Sequence, residues 1–190
     1  LICLPDGIEF VTVFWAAVKI GAVAVPLNTR LTEDDYRALV SDSAARLVVT
    51  DTHLAVPFQH LAKSVSFVCE VIVVDERSAL STSLSGRMAE ASNELTAWPT
   101  NSEDIAFWLY TSGSTGTPKG VMHRHQALIH TAVLFGQSVL RVSPEDVTFS
   151  AAKMHFAYGL GNSMTFPFYA GATSIVTSHR PTAEHIVACL

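Results

Sequence analysis

Cysteine is scarce in this sequence. Cys3, Cys69 and Cys189 are odd in number and far apart. That excludes a disulfide framework and a thiolate metal site, and fits buried thiols in a reducing compartment. Charge is scarce too: 15% of residues are Asp, Glu, Lys or Arg, with a formal net charge of -5. No basic stripe is available to neutralise phosphates, which argues against general nucleic-acid binding. Long apolar runs are missing. Phe10 to Val25 comes nearest to a membrane span, but Lys19 and Gly21 interrupt it. The sequence opens on Leu1 with no basic leader before an apolar stretch, so no signal peptide is visible. It stops at Leu190 inside an expected helix. The expectation is a piece of a longer, cytoplasmic protein.

What is present is a core. Hydrophobic residues make up 49% of the 190 positions, enough to bury one and too many for disorder. Phe10, Val13, Phe14, Ala17 and Val18 fall at helical spacing, so Glu9 to Ile20 reads as an amphipathic helix stopped by Gly21. Ala22 to Val25 reads as a short buried strand. Thr32 with Asp35 resembles a capping box, starting a helix to about Ser41. Glu33, Asp34 and Asp35 suit that helix start, because carboxylates favour the positive end of the dipole. Arg46 to Thr50 and Val71 to Val74 read as strands, with a helix between them near Pro57 to Lys63. Residues 76–102 read as a surface connection with room for one short helix. The pattern then resumes. Strands are expected at Ile105 to Tyr110, Val147 to Ser150 and Thr173 to Val176. Helices are expected from Arg124 to Leu140, over Gly161 to Tyr169, and after a Thr182 cap. Alternating strands and helices predict an α/β fold with a largely parallel sheet flanked by helices.

One run stands out: Thr111, Ser112, Gly113, Ser114, Thr115, Gly116, Thr117, Pro118, Lys119 and Gly120. Gly113 and Gly116 let backbone N–H groups turn toward an anion. The hydroxyls add donors, Pro118 stiffens the turn, and Lys119 adds a mobile positive charge. The run is not a Walker loop, because Pro118 precedes the lysine and Gly120 follows it where a hydroxyl residue should stand. The dinucleotide spacing of three glycines fails as well. A phosphate cradle following a strand remains.

TSGSTGTPKG resembles the signature loop of the adenylate-forming superfamily of acyl- and aryl-CoA ligases, luciferase-like enzymes and peptide-synthetase adenylation domains. Val121-Met122-His123 follows it in a similar way, and Leu4 to Asp35 is similar to the family's N-terminal helix–strand unit. AAKMHFAYGLGN, Ala151 to Asn162, is similar to the benzoate-CoA ligase branch. The resemblance implies part of a large N-terminal AMP-binding domain. Its units are residues 1–75, the connection 76–102, and a phosphate-loop and acyl-pocket unit 103–190. It implies that Thr111 to Gly120 bind the phosphates of ATP, with Lys119 the catalytic charge near the β- and γ-phosphates. It implies that Ala157, Tyr158 and Gly159 border the acyl pocket, Ala157 and Gly159 leaving room for a planar ring. On the residues alone, Phe156, Tyr158 and Leu160 could instead simply pack beneath a glycine-permitted turn.

The implied activity is activation of an aromatic carboxylate to an acyl-adenylate, then thioester formation with coenzyme A. Its alternatives are another aryl acid, a medium-chain fatty acid, a non-catalytic nucleotide-binding module, or a structural domain with a vestigial loop. ATP, Mg²⁺ and coenzyme A are the implied cofactors, and a homodimer of the parent stays open. The adenine, Mg²⁺, coenzyme A and lid-lysine motifs are expected outside residues 1–190, so the chain by itself is expected to be inactive. No metal site is expected, since His123 and His125 lack further ligands and read as a helix-start pair. His155 has no assignable partner for a base role, and Lys153 reads as a pocket-edge charge.

Overall fold

The apolar stripe of the first helix sets the architecture. In the computed structural model, which describes residues 1–68, 70–74, 83–111 and 118–189, β1 (Ile2–Cys3) leads into α1 (Ile8–Lys19). Phe10 and Phe14, one turn apart on α1, are fully buried. Helix α2 (Glu33–Ser43), strand β2 (Leu47–Asp51), helix α3 (Ala55–Ser64) and strand β3 (Glu70–Val74) come next. The three strands pair in parallel in the order β1-β2-β3.

Alternation along the strands sorts the core onto two faces. Ile2, Leu4, Ala24 and Val49 pack with Phe10 and Phe14 of α1. Their neighbours Leu1, Cys3, Val25, Leu27 and Val48 pack with Tyr36, Leu39 and Val40 of α2 and Phe58 and Leu61 of α3. Helices on both faces of a parallel sheet are the expected α/β arrangement.

The strand expected at Ala22 to Val25 is displaced. Val23 is exposed, and pairing is made by residues 24–27 as a bridging segment. Ile2 N donates to Val25 O and Leu27 N to Ile2 O; on the other side Ala24 N donates to Ala106 O and Trp108 N to Ala24 O. The segment thereby joins β1 to β4 (Ile105–Thr111), and the core runs continuously under both.

Helix α2 carries the expected cap in full. Thr32 Oγ1 accepts from Asp35 N at 3.2 Å, and Asp35 Oδ2 accepts from Thr32 N at 3.0 Å. The reciprocal bonds hold the Asp35 carboxyl below its usual range, its hydrogen bonds with Thr32 being the cause. Replacing Thr32 with Ala removes the side-chain acceptor and is expected to cost about 1 kcal/mol. Amide exchange over residues 33–37 should quicken about fivefold; unchanged exchange would refute the cap's contribution.

Helix α4 (Leu84–Glu90) lies in the expected connection, capped by Ser83, whose hydroxyl accepts from Gly86 N at 3.1 Å. Beyond it, strand β5 (Lys119–Arg124) was not expected. Helix α5 covers His125–Thr131 and passes into a π-helical turn at Ala132–Gln137, where a single helix from Arg124 to Leu140 was expected. Strands β6 (Val147–Phe149) and β7 (Thr173–Ile175) pair in parallel. Between them lie α6 (Ala157–Leu160), a π-helical turn (Gly161–Thr165) and α7 (Phe166–Ala170). Helical structure therefore begins four residues before the expected Gly161. Helix α8 (Ala183–Cys189) ends the described chain, with Thr182 Oγ1 accepting from His185 N. Cys3 is buried as expected, Cys189 is half-buried, and Cys69 falls outside the described residues.

Candidate functional site

The glycine- and hydroxyl-rich run joins two antiparallel strands. Residues 112–117 lie outside the described residues, but both flanks are placed. Strands β4 and β5 pair from Ile105↔Arg124 down to Thr111↔Lys119. The expected strand–loop–helix order is corrected here: a strand succeeds the loop, and α5 starts only at His125.

Each flank has a local reason for its residue. Gly120 stands opposite Tyr110, and a Cβ there would lie 3.1 Å from the Trp108 ring and 3.4 Å from that of Tyr110. Tyr110 Oη donates to Asp42 Oδ2 at 2.7 Å, tying β4 to α2. Burial is the main cause of the rise in its phenol pKa, and the Asp42 contact adds to it. Lys119 is exposed and makes no ion pair among the described residues.

Two cavities meet at the loop that precedes α6. One, of about 320 Å³, runs from Pro26, Leu27 and Leu31 past Tyr110 to Thr111 and Pro118, and is closed by His155 and Phe156. The second, of about 170 Å³, is lined by Asp6, Asn28, Arg30 and Lys153 together with His155 and Phe156. The structure thus brings the ends of the glycine-rich run and the front of the Ala151–Asn162 motif to one cavity. Asp6 and Arg30 were not foreseen: nothing local marks them, and only the fold sets them beside Lys153.

Ala157, Tyr158 and Gly159 open α6 and take three directions. Ala157 lines a small apolar cavity with Phe107, His123 and Leu128. Tyr158 is 67% exposed, and Phe156 is 51% exposed. Of the three residues that could pack beneath a turn, only Leu160 is buried. Gly159 is buried against backbone: a Cβ there would lie 2.1 Å from Lys153 O and 2.5 Å from Ala152 O. The room that Gly159 leaves is taken by the chain itself, so it admits the turn and not a ring.

The histidines divide. His123 lies on β5, its ring stacked on Phe107 with centroids 4.6 Å apart, and only His125 is on the helix. The helix-start pair is corrected accordingly. His155 packs on Phe156 at 4.2 Å, and its Nε2 is buried with no hydrogen-bond partner among the described residues. Burial pushes its pKa down to about 4, with Lys153 and Arg30 adding in the same direction.

An unfolded imidazole takes up its proton near pH 6.5. Between that value and about 4 the unfolded chain binds more protons than the folded one. Stability from His155 is thus complete above pH 6.5 and is lost as pH falls toward 4. His155→Gln should lose less melting temperature between pH 7 and pH 5 than wild type, and equal losses would contradict this.

A family model described as AMP-binding enzyme matches residues 1–190. The chain belongs to the AMP-binding enzyme family. Over 182 residues it is 44% identical to a benzoate–CoA ligase of Thauera aromatica, covering 96% of this chain and 34% of that protein. Two solved structures of the family share its fold. A benzoate CoA ligase from Burkholderia xenovorans LB400 superposes with a TM-score of 0.88 at 36% identity, over 98% of this chain and 36% of that one. An anthranilate CoA ligase in complex with anthranoyl-AMP gives 0.91 at 29% identity, over 99% and 36%. The chain spans about a third of the length of the curated relatives it matches. No helix among the described residues is long and apolar enough to cross a membrane.

Proposed function

We propose that the protein containing this chain activates an aromatic carboxylate with ATP and passes the acyl group to coenzyme A. The observation that carries this reading is the cavity lined both by Thr111 and Pro118 of the phosphate-type run and by His155 and Phe156 of the Ala151–Asn162 motif. Likeness to benzoate and anthranilate CoA ligases supports the aryl class.

In the first step a carboxylate oxygen attacks the α-phosphorus of ATP, and pyrophosphate leaves with the electrons of the broken P–O bond. The encounter of two anions needs N–H donors and positive charge aimed at the phosphates. Thr111 to Gly120 supply the donors, and Lys119 supplies charge toward the β- and γ-phosphates. In the second step the thiol sulfur attacks the acyl carbon, AMP leaves and the thiol proton is released. Ala157, Tyr158 and Gly159 border the acyl side, Gly159 through its backbone. Residues 1–75 and 103–190 act as the two structural units, joined by 76–102. Mg²⁺ is expected with ATP. Among the described residues no group of three or more His, Cys, Asp or Glu could hold a metal ion, and none is assigned to it. Adenine, ribose and lid contacts come from sequence outside residues 1–190, and the protein works in the cytoplasm.

Isotope exchange between ATP and pyrophosphate, run on the full-length protein with benzoate, hydroxybenzoates and octanoate, tests the reading. Exchange dependent on an aryl acid is the expected result. Exchange with octanoate alone would replace the aryl class by a fatty acid, and no exchange with any acid would leave a nucleotide-binding role.

A further inference from the structure

Asp6 is charged, 6% exposed and remote from its partners in sequence. It stands in the bend between β1 and α1 and bonds a residue near the opposite end of the chain. Its Oδ1 accepts from Met154 N at 3.0 Å, a buried bond across 148 positions. Its Oδ2 lies 4.0 Å from Lys153 Nζ, and that ammonium donates to Thr177 O at 2.6 Å. A buried carboxylate is costly unless paired and hydrogen-bonded, and both partners here stand on one turn. Burial pushes the Asp6 carboxyl pKa up, while the Met154 N–H and Lys153 pull it back.

That turn is the seat of helix α6. Phe156 N donates to Lys153 O at 3.0 Å, and Gly159 rests on the Lys153 and Ala152 carbonyls with no space for a Cβ. Helix α6 is the first turn of a helical stretch that continues unbroken through the π-helical turn and α7 to Ala170, and the Lys153–Met154 turn is where the chain enters that stretch and where its first residues are anchored. We infer that Asp6 is a positioning residue, which fixes the Lys153–Met154 turn and through it the Ala157–Gly159 border of the acyl pocket. The inference rests on the proposed reading of that border. It makes the end of β1 part of the acid-binding apparatus without contact to the acid.

The test uses the full-length protein with Asp6→Ala, Asp6→Asn and Lys153→Met. Asp6→Ala should raise KM for the aryl acid about tenfold, since small misplacements of a bound reactant cost this much or more. KM for ATP should stay within twofold. Asp6→Asn keeps an acceptor for the Met154 N–H and loses the charge, so its rise should be smaller. Lys153→Met should move KM the same way, and adding it to Asp6→Asn should have less than its full separate effect. Amide exchange over residues 153–160 should quicken in Asp6→Ala while residues 33–43 stay unchanged. Proportional rises in both KM values alongside a falling melting temperature would reduce Asp6 to a general fold contact and overturn the inference; so would unchanged exchange at 153–160. If wild type activates no aryl acid, the proposed function fails, and the exchange measurement alone still decides whether Asp6 holds the turn. If Asp6→Ala does not fold, Asp6→Asn carries both readouts.

Discussion

Lys119→Ala should slow aryl-acid-dependent adenylation about a hundredfold, a loss of about 2.7 kcal/mol in transition-state stabilisation. The expectation comes from where the residue stands. Its backbone closes the β4–β5 hairpin opposite Thr111, so its Cα is fixed at the foot of the glycine-rich loop. Its side chain is exposed and makes no ion pair among the described residues. Truncation removes a charge without opening a cavity, and melting temperature should not move. Lys119→Arg should recover only part of the rate, because a planar guanidinium does not replace a compact ammonium at a phosphate. A Lys119→Ala protein within threefold of wild type would remove Lys119 from the reaction.

Phe14→Ala should produce the largest loss of stability. Phe14 is fully buried, and its ring meets three others: Phe10 at 6.5 Å, Trp15 at 5.6 Å and Phe107 at 5.7 Å between centroids. Phe107 belongs to β4, so the cluster ties α1 to the hairpin that bears the loop. Removing a buried phenylalanine costs about 3–5 kcal/mol in lost transfer energy and cavity. Melting temperature should fall by roughly 10 °C, at about 2–4 °C per kcal/mol. Ile8→Ala on the same helix is the control, since Ile8 is 75% exposed. Equal shifts in the two variants would show that the aromatic cluster does not hold this layer together.

Legibility in the sequence tracked the range of each interaction. Helix α1 was readable because Phe10 and Phe14 repeat with the period of the helix. The Thr32–Asp35 cap was readable because both partners lie within one turn. Strand β5 was missed: Val121 and Met122 are apolar yet exposed, so Lys119 to Arg124 shows no alternation between a buried and a solvent face. The bridging segment 24–27 was displaced by two residues because its pairing is set by β1 and β4, neither of which adjoins it in sequence.

By itself the sequence determined the α/β class, helices α1 and α2, and the Thr32 and Thr182 caps, because each is written in neighbouring residues. Only the tertiary structure decided that the Thr111–Gly120 run is flanked by a strand pair, and that Gly159 serves backbone contact. It alone set Asp6 beneath Met154. Those features depend on groups far apart in the chain being brought into van der Waals and hydrogen-bond contact, and no local pattern encodes which partner a buried carboxylate or a missing Cβ will meet.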